Sequence, residues 1–306
     1  PPADSKSMAD AVMRIFKDTQ LARQFAENAY VKVKEKYNLE LMVKNTLDVY
    51  RDALSNFKLL IIKFSSLGDI ILSTAGIRAI REKFSHNCKI TFLVGEKHKE
   101  AMLGCPYADE LLVADFKSRD KGVFGFLKLA RSLRRKNFDI VIDLQNNRRS
   151  HILCFLSRAP RRYGYDNKKF GFLLNRRIKD EKPLIDPVAH QFRILEMLGI
   201  ELKEPHLELW PSKEDYQYIE ELLSSQWLTQ NQKIVGMNIC ASSKWLTKGW
   251  PRAHLVKLLQ ELGARDVRVV ITGSEEDSEE ANALISAGRN IKLINACGKT
   301  TVNQLS

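Results

Sequence analysis

The sequence has few cysteines and no long apolar run, and each scarcity excludes a class of protein. Its five cysteines are well separated and form no CxxC pair, which argues against a disulfide framework or a zinc site and favours reduced thiols. No apolar run approaches the roughly 18 residues that a membrane-spanning helix needs. The first residues are polar and lack the pattern of a signal peptide. We therefore expect a cytoplasmic protein.

Acidic residues are outnumbered by basic ones, and the basic residues cluster. The chain has 49 lysines and arginines against 37 aspartates and glutamates, a formal net charge of +12. The clusters lie at 131–136, 148–149, 158–162, 168–169 and 176–177. They indicate an anionic partner, such as a nucleic acid, a phosphosugar, a nucleotide or an acidic membrane surface. The sequence shows no RRM, helix-turn-helix or zinc pattern, which argues against nucleic acid.

Hydrophobic periodicity divides the chain into three regions. Residues 1–56 carry apolar positions at helical spacing and predict an all-helical segment. Strand and helix patterns alternate over 57–208, which predicts an α/β domain with a parallel, doubly wound sheet. The alternation resumes after a linker that contains Pro205 and Pro211. We therefore predict a second, incomplete α/β domain over 209–306.

The first predicted strand, 59–62, leads into a short loop at 65–69 and a helix from Ile70. Ligands of open α/β sheets bind beside such loops, at the carboxyl ends of the strands. The loop contains Asp69. A carboxylate there can accept a proton from a substrate hydroxyl, but it can also simply cap the helix. One glycine, Gly68, does not make a GxGxxG dinucleotide fingerprint.

Two further strand ends carry polar side chains. Residues 145–150 follow the predicted strand 139–144, and the crevice rule places them in the same cleft as Asp69. In the second domain, residues 240–251 combine serines and lysines before a helix, as phosphate-binding loops do. Residues 272–276 place carboxylates just past a strand, where they can hold ribose hydroxyls or cap a helix.

Four motifs give residues 58–306 a resemblance to a known family. They are IKFSSLGDI at 62–70, IDLQ at 142–145 with RS at 149–150, GMNICA at 236–241 with KGWP at 248–251, and TGSE at 272–275. In these motifs the chain resembles glycosyltransferase family nine, the bacterial lipopolysaccharide heptosyltransferases. Residues 1–55 resemble the C-terminal helices of the retaining glycosyltransferase family four. The sequence therefore looks like a fragment of a tandem glycosyltransferase.

The resemblance implies a GT-B fold, in which two Rossmann-like domains face each other, and an inverting, metal-independent sugar transfer. Asp69 matches the catalytic base of the family, which takes a proton from an acceptor hydroxyl. Ser65, Ser66 and Gly68 match the loop that surrounds this base. The reaction that the family implies needs no cofactor beyond its co-substrate, a nucleotide sugar, for which we expect ADP-heptose.

The resemblance also assigns the donor site. Ser242, Ser243 and Lys248 match the loop that holds the donor's diphosphate and stabilises the charge of the leaving group. This loop looks about one residue longer than in the best-known members, so Lys244 competes with Lys248 for the lysine role. Glu275 is our choice for the contact with the nucleoside.

We assign Gln145, Arg148 and Arg149 to acceptor binding. The guanidinium groups of the two arginines suit the phosphates and acidic sugars of a glycolipid. The expected partners are thus a nucleotide-sugar donor and an anionic glycolipid acceptor, and no nucleic acid. Peripheral association with the cytoplasmic face of the inner membrane is left open.

Two alternatives also remain open. One is a transferase that uses another nucleotide sugar, and the other is a non-catalytic protein that binds glycans or polyanions in a basic cleft.

The family's Asp-x-Gly-x-x-His segment, a donor phosphate site, would follow Ser306. We therefore expect this chain by itself to be weakly active or inactive.

Overall fold

A computed structural model describes residues 4–55, 57–180, 186–225, 233–239, 249–265, 267–288 and 293–306, with the side chains of 51–55 and 86 excepted. Its contacts divide the chain into two units. The first unit comprises residues 1–57 and 86–88, and the second comprises residues 58–85 and 89–306.

The first unit is helical, as the sequence predicts. Its helices are α1 (Ser5–Lys17), α2 (Thr19–Lys36) and α3 (Leu39–Ser55). Asp4 and Asp18 begin α1 and α2, because each carboxylate accepts hydrogen bonds from two backbone N–H groups of the following turn. Neither α1 nor α2 has a buried residue, and apolar side chains such as Phe16 are largely exposed.

A six-stranded sheet organises the second unit. Its strands are β1 (Phe57–Ile62), β2 (Cys88–Gly95), β3 (Glu110–Ala114), β4 (Ile140–Asp143), β5 (Arg161–Asp166) and β6 (Arg176–Lys179). The spatial order is β3-β2-β1-β4-β5-β6. The pairs β1–β4, β2–β3, β4–β5 and β5–β6 are parallel. The order reverses between β1 and β4, and such a switch point is where open α/β sheets form a crevice.

The helices that accompany this sheet are α4 (Leu67–Leu72), α5 (Thr74–Phe84), α6 (Gly122–Arg135), α7 (Arg148–Leu156) and α8 (Pro187–Glu196). Short 3₁₀ helices lie at Ser85–Asn87, Glu96–Met102 and Gly171–Leu173. Residues 59–62 of β1 have no exposed surface, which explains why this strand reads as a continuous apolar run.

The register of β1 and β4 positions the site. Ile62 lies opposite Asp143, so both strands end at the same level and their following loops lie side by side. These strands therefore bring the segment that contains Asp69 next to the segment that contains Gln145.

A second parallel sheet has the order β7 (Ile234–Asn238), β8 (Arg268–Thr272), β9 (Leu293–Asn295). It is accompanied by α9 (Lys213–Ser224), α10 (Arg252–Gly263), α11 (Ser278–Ala287) and 3₁₀ helices at Glu275–Asp277 and Asn303–Leu305. The domain boundary that we propose, at 208–209, falls in the segment between α8 and α9.

Cys88, Cys154 and Cys297 are buried, in agreement with their interpretation as core thiols, whereas Cys105 is half-buried and Cys240 lies outside the described residues. No disulfide joins the described cysteines. Cys154 lies in the core of the first sheet and Cys297 in that of the second. Burial raises the pKa of both thiols, so they stay protonated at neutral pH.

The structure differs from the sequence interpretation in three places. The helix expected from Ile70 is two helices, α4 and α5, which meet at Ser73. Two further elements were not assigned from the sequence: Arg148 and Arg149 begin α7, and Arg176 with Arg177 lies on the edge strand β6. The sequence signals were weak, because α7 lacks a clear apolar stripe and β6 has only one apolar residue.

Candidate active site

The loop after β1 holds Asp69 through a capping box. Ser66 precedes α4, and Oδ2 of Asp69 accepts hydrogen bonds from the backbone N–H of Ser66, at 2.9 Å, and from its hydroxyl, at 3.0 Å. Oδ1 has no hydrogen-bond partner among the described residues, and the side chain is half-buried. Asp69 therefore caps α4 with one oxygen and leaves the other available to a ligand.

The space at Gly68, the residue before Asp69, is open. Gly68 is exposed, and a Cβ atom added to it would meet no other heavy atom within 4 Å. Ser65 precedes the box and is half-buried. The residue that precedes Asp69 therefore leaves unfilled space where a larger residue would place a side chain.

Gln145 joins the loop after β4 to the loop after β1. Its Oε1 accepts hydrogen bonds from the backbone N–H groups of Phe64, at 2.7 Å, and Ser65, at 3.0 Å. The sequence placed Gln145 and Asp69 in one cleft, and the structure brings their two loops into direct contact. The contact adds a role for Gln145, which holds the backbone that leads to Asp69.

A buried lysine, Lys63, also joins the two loops. The sequence analysis quoted it within the motif at 62–70 but gave it no role. Its side chain is 7 % exposed, and Nζ donates to the carbonyl oxygen of Leu144 at 3.0 Å. Burial lowers the pKa of Lys63, while the negative charges of Asp69 and Asp143 act in the opposite direction. A lysine at the end of an otherwise apolar strand was the signal available in the sequence.

Asp143 and His151 form a second buried pair behind the loop. The sequence analysis included Asp143 only within the IDLQ motif and gave neither residue a role. Oδ1 of Asp143 accepts from the backbone N–H groups of Gln145 and Asn146, each at 2.9 Å. Oδ2 lies 3.5 Å from Nε2 of His151, and both side chains are fully buried. Burial raises the pKa of Asp143, and the nearby imidazole of His151 opposes the rise.

The hydrogen-bond partner of Nδ1 determines which ring nitrogen of His151 carries a hydrogen. Nδ1 lies 2.7 Å from the carbonyl oxygen of Lys169, which can only accept, so Nδ1 carries a hydrogen. Oδ2 of Asp143 and Nε2 of His151 have no other hydrogen-bond partner among the described residues. A single proton between Oδ2 of Asp143 and Nε2 of His151 prevents the lone pairs of these two atoms from facing each other.

Arg148 and Arg149 are held at the same edge by aromatic rings. The guanidinium carbon of Arg149 lies 5.2 Å from the ring centre of Phe116, which packs edge-on against Phe64 at 4.9 Å. Arg148 lies 5.7 Å from the ring centre of Phe170. Both arginines are exposed, so they remain able to bind an anionic ligand.

The donor side is described in part. Ser242, Ser243, Lys248 and the competing Lys244 lie outside the described residues. Glu275 is exposed after β8. It lies within a second Ser-x-x-Asp box, in which Oδ2 of Asp277 accepts from the backbone N–H and the hydroxyl of Ser274, at 2.7 and 2.8 Å.

Comparison with known proteins gives the family. The profile of glycosyltransferase family 9 (heptosyltransferase) matches residues 126–306. The chain belongs to this family. It is a glycosyltransferase, and the family resemblance seen in the sequence is confirmed. The resemblance of residues 1–55 to family four stays a prediction.

Curated relatives extend the similarity beyond the profile. The chain is 26 % identical over 254 residues to the lipopolysaccharide core heptosyltransferase OpsX of Haemophilus influenzae, covering 81 % of this chain and 69 % of that protein. It is 23 % identical to lipopolysaccharide heptosyltransferase 2 of Escherichia coli, with coverages of 75 and 67 %.

Solved structures show the same fold. A family 9 glycosyltransferase from Veillonella parvula has a TM-score of 0.75 at 25 % identity and covers 82 % of this chain, which covers 72 % of it. The Escherichia coli ADP-heptose heptosyltransferase II has a TM-score of 0.63 at 22 % identity, with coverages of 81 and 75 %. The α/β fold of GT-B type expected from the sequence is confirmed.

Membrane spans and metal clusters are both absent from the part of the chain that the structure describes. None of the described helices combines the length and the apolarity needed to cross a bilayer. No group of three or more histidine, cysteine, aspartate or glutamate side chains in the described ranges could hold a metal ion.

Proposed function

We propose that this glycosyltransferase moves a heptose from ADP-heptose to an anionic glycolipid of the lipopolysaccharide core, with inversion at the anomeric carbon. Family 9 membership supports this substrate class, because the curated relatives are named lipopolysaccharide heptosyltransferases. The Escherichia coli relative of known structure is named for ADP-heptose, and this donor comes to the present chain as part of the proposal.

The observation that carries the mechanism is the half-satisfied carboxylate of Asp69. Oδ2 is held by Ser66, which fixes the orientation of the group, and Oδ1 has no hydrogen-bond partner among the described residues. In the proposed step, Oδ1 takes the proton of the acceptor hydroxyl as the hydroxyl oxygen bonds to the anomeric carbon. The bond from that carbon to the diphosphate breaks on the opposite face, and ADP leaves with the electron pair.

The remaining roles follow the charges. We assign the diphosphate to Ser242, Ser243 and Lys248, where hydroxyl and ammonium donors offset the charge that develops on the leaving group. Glu275, exposed beyond β8, is assigned to the nucleoside.

On the acceptor side, we assign the anionic groups of the glycolipid to Arg148 and Arg149. The rings of Phe170 and Phe116 limit the motion of these side chains while leaving the guanidinium donors exposed. With a glycolipid acceptor, the proposal includes a peripheral location on the cytoplasmic face of the inner membrane.

The test compares two aspartates that occupy the same kind of capping box. Asp69→Asn keeps an oxygen for the N–H of Ser66 but removes the proton acceptor. The matched control is Asp215→Asn, because Oδ2 of Asp215 accepts from the N–H of Ser212 at 2.9 Å at the start of α9, outside the candidate site. Transfer from ADP-heptose to a Kdo–lipid A acceptor is measured for both, with this chain and with the complete product of its gene.

We expect Asp69→Asn to lower turnover by about a hundredfold or more, with donor affinity retained in calorimetry, and Asp215→Asn to leave turnover unchanged. Full activity in Asp69→Asn would reduce Asp69 to a helix cap. The proposed donor would be refuted if ADP-heptose bound neither to this chain nor to the complete product of its gene.

A further inference from the structure

Helix α6 presents an apolar end and a basic end to solvent, on one side of the helix. Helical spacing places Phe124, Leu127, Lys128 and Arg131 on the solvent side. Phe124 is 90 % exposed, Val123 is 72 % exposed and Leu127 is 49 % exposed. We call these five residues the α6 face. Burying a phenylalanine side chain stabilises a protein, and the exposed Phe124 does not supply this free energy. An exposed apolar patch of this kind is typical of a surface that a binding partner covers.

The apolar end is held firmly by the segment 115–121 that precedes it. The Oδ1 atom of Asp115 accepts from the backbone N–H groups of Lys117 and Ser118, and the buried carboxylate of Asp120 accepts from the N–H of Asp115 at 2.7 Å. Arg119 binds both Asp120 and the carbonyl oxygen of Val113. Phe124 therefore projects from a backbone with defined hydrogen bonds rather than from a loose loop.

The same segment connects the α6 face to the candidate active site. Phe116 packs against Phe64, which immediately precedes Ser65, and the guanidinium group of Arg149 lies over the ring of Phe116. Since α6 follows β3, its first turn lies at the carboxyl edge of the sheet, where Asp69 also lies. The apolar end of α6 is thus at the rim of the cleft on the acceptor side.

The charge of this region indicates which surface the apolar end meets. Residues 121–136 contain six lysines and arginines and no aspartate or glutamate. Apart from Lys136, which pairs with Glu110, these cations are exposed. Exposed apolar side chains flanked by cations fit the interface of an anionic bilayer, where apolar groups enter the acyl boundary and cations meet the headgroups. A second copy pairing through α6 would bring like charges together.

We propose that the α6 face docks the protein on an anionic phospholipid bilayer, with Val123, Phe124 and Leu127 inserted and Lys128 and Arg131 at the headgroups. The proposal rests on the proposed function, because docking at the cleft rim brings the head of a bilayer-embedded acceptor toward Asp69 while its acyl chains stay in the membrane. Binding to vesicles is measured without any substrate. A failure of the docking proposal can therefore be distinguished from a failure of the proposed function.

The experiment is flotation of the 306-residue chain with vesicles of phosphatidylcholine, with and without about 30 % phosphatidylglycerol. Phe124→Ser removes the most exposed apolar group and Arg131→Glu reverses a charge. The matched controls are Tyr216→Ser, an aromatic residue that is 62 % exposed on α9, and Lys257→Glu, an exposed cation on α10. Every variant retains the exposed apolar side chains of α1 to α3, so any vesicle binding through those helices is the same in all of them.

We expect the wild type to float with the anionic vesicles, each α6 variant to lose about tenfold in partitioning, and each control to stay within about twofold. Transfer to a water-soluble, delipidated acceptor should be unchanged in Phe124→Ser. No binding of the wild type, or equal binding of Phe124→Ser and wild type, would overturn the proposal. A wild-type dimer in sedimentation velocity that Phe124→Ser converts to a monomer would also overturn it, because a second copy would then be the occupant.

Discussion

Gln145 shows how one side chain can tie the candidate base to the sheet. Its single carbonyl oxygen accepts from two successive N–H groups, those of Phe64 and Ser65, just before the capping box of Asp69. Its amide nitrogen has no partner among the described residues. We therefore treat Gln145 as a positioning residue whose amide nitrogen remains available to the acceptor.

Gln145→Ala should leave two loop N–H groups without an acceptor, while Gln145→Glu keeps an oxygen at the same place. We expect the alanine variant to lose about tenfold to a hundredfold in kcat with a nearly unchanged KM for the donor. The glutamate variant should recover most of this loss. Equal kcat values for alanine variant and wild type would contradict the positioning role.

Asp143 is the second residue whose environment decides its chemistry. In the buried interior its Oδ1 satisfies two N–H groups, and its Oδ2 faces His151. Burial raises the pKa of Asp143 in the folded state above its value in the unfolded chain. The stability that this group contributes is therefore complete at low pH and is lost as the pH rises through the raised folded pKa.

Asp143→Asn should keep the acceptor for both N–H groups and remove this titration. In urea unfolding from about pH 4 upward, the free energy of unfolding of the wild type should fall relative to that of Asp143→Asn as the pH rises above the ordinary carboxyl pKa. Asp143→Ala should instead cost about 2 to 4 kcal/mol near neutral pH, because it leaves buried N–H groups unsatisfied. A pH-independent difference between wild type and Asp143→Asn would contradict the raised pKa.

Among the elements, α6 depends on one close approach. A Cβ atom at Gly125 would lie 2.7 Å from the backbone carbon of Asp120 and 2.8 Å from the carbonyl oxygen of Arg119. Backbone atoms that are fixed by their own hydrogen bonds cannot yield as a flexible side chain would. The glycine therefore lets the segment 115–121 fold back against the helix that it begins.

Gly125→Ala should destabilise the protein by about 1 to 3 kcal/mol despite the better helix propensity of alanine. The matched control is Gly68→Ala in α4, where an added methyl group meets nothing within 4 Å. We expect that control to be neutral or stabilising by up to about 1 kcal/mol. Urea unfolding of both variants decides the point, and an unchanged midpoint for Gly125→Ala would refute the close approach.

At the scale of the whole second unit, Arg78 on α5 fastens the segment that leads from the first sheet toward the second. Its guanidinium group pairs with Glu208 and donates to the carbonyl oxygens of Glu204, at 2.9 Å, and His206, at 3.2 Å. Glu208 also accepts from the hydroxyl of Tyr107 at 2.9 Å. The side chain of Arg78 is only 9 % exposed, so water screens this pair less than a surface ion pair.

The pair makes a pH-dependent contribution with a definite sign. Burial alone would raise the pKa of Glu208, but the hydrogen bonds from Arg78 and Tyr107 hold it below its ordinary value. A lowered carboxyl pKa adds stability that is present above the unfolded-state pKa and is lost as the pH falls through the folded one.

Arg78→Met should therefore destabilise the protein by about 3 kcal/mol at neutral pH, since it leaves Glu208 without its cationic partner. The difference from wild type should shrink as the pH falls below the ordinary carboxyl range, near about pH 4. Denaturation curves at both pH values measure it. An equal difference at neutral and acidic pH would show that lost packing, rather than charge, explains the effect.

Much of the fold could be predicted because its causes are local. The apolar run of β1, the turn residues after it and the helical spacing from Ile70 are visible in the sequence, and they led to a parallel α/β sheet with a carboxylate at the end of its central strand. The motifs that include Asp69, Gln145 and Glu275 led to family 9. Their individual roles stay predictions.

The tertiary structure decided what depends on residues that are distant in the sequence. The pairing of β1 with β4 places Gln145 on the N–H groups of Phe64 and Ser65, and it makes Lys63 a buried lysine near two carboxylates. Burial turned Asp143 into a partner of His151, whereas the sequence marks it only as the end of a strand and a member of the IDLQ motif. Periodicity reports which face of an element is apolar, but the pKa of a group and the partner of a hydrogen bond depend on what packs against it from elsewhere in the chain.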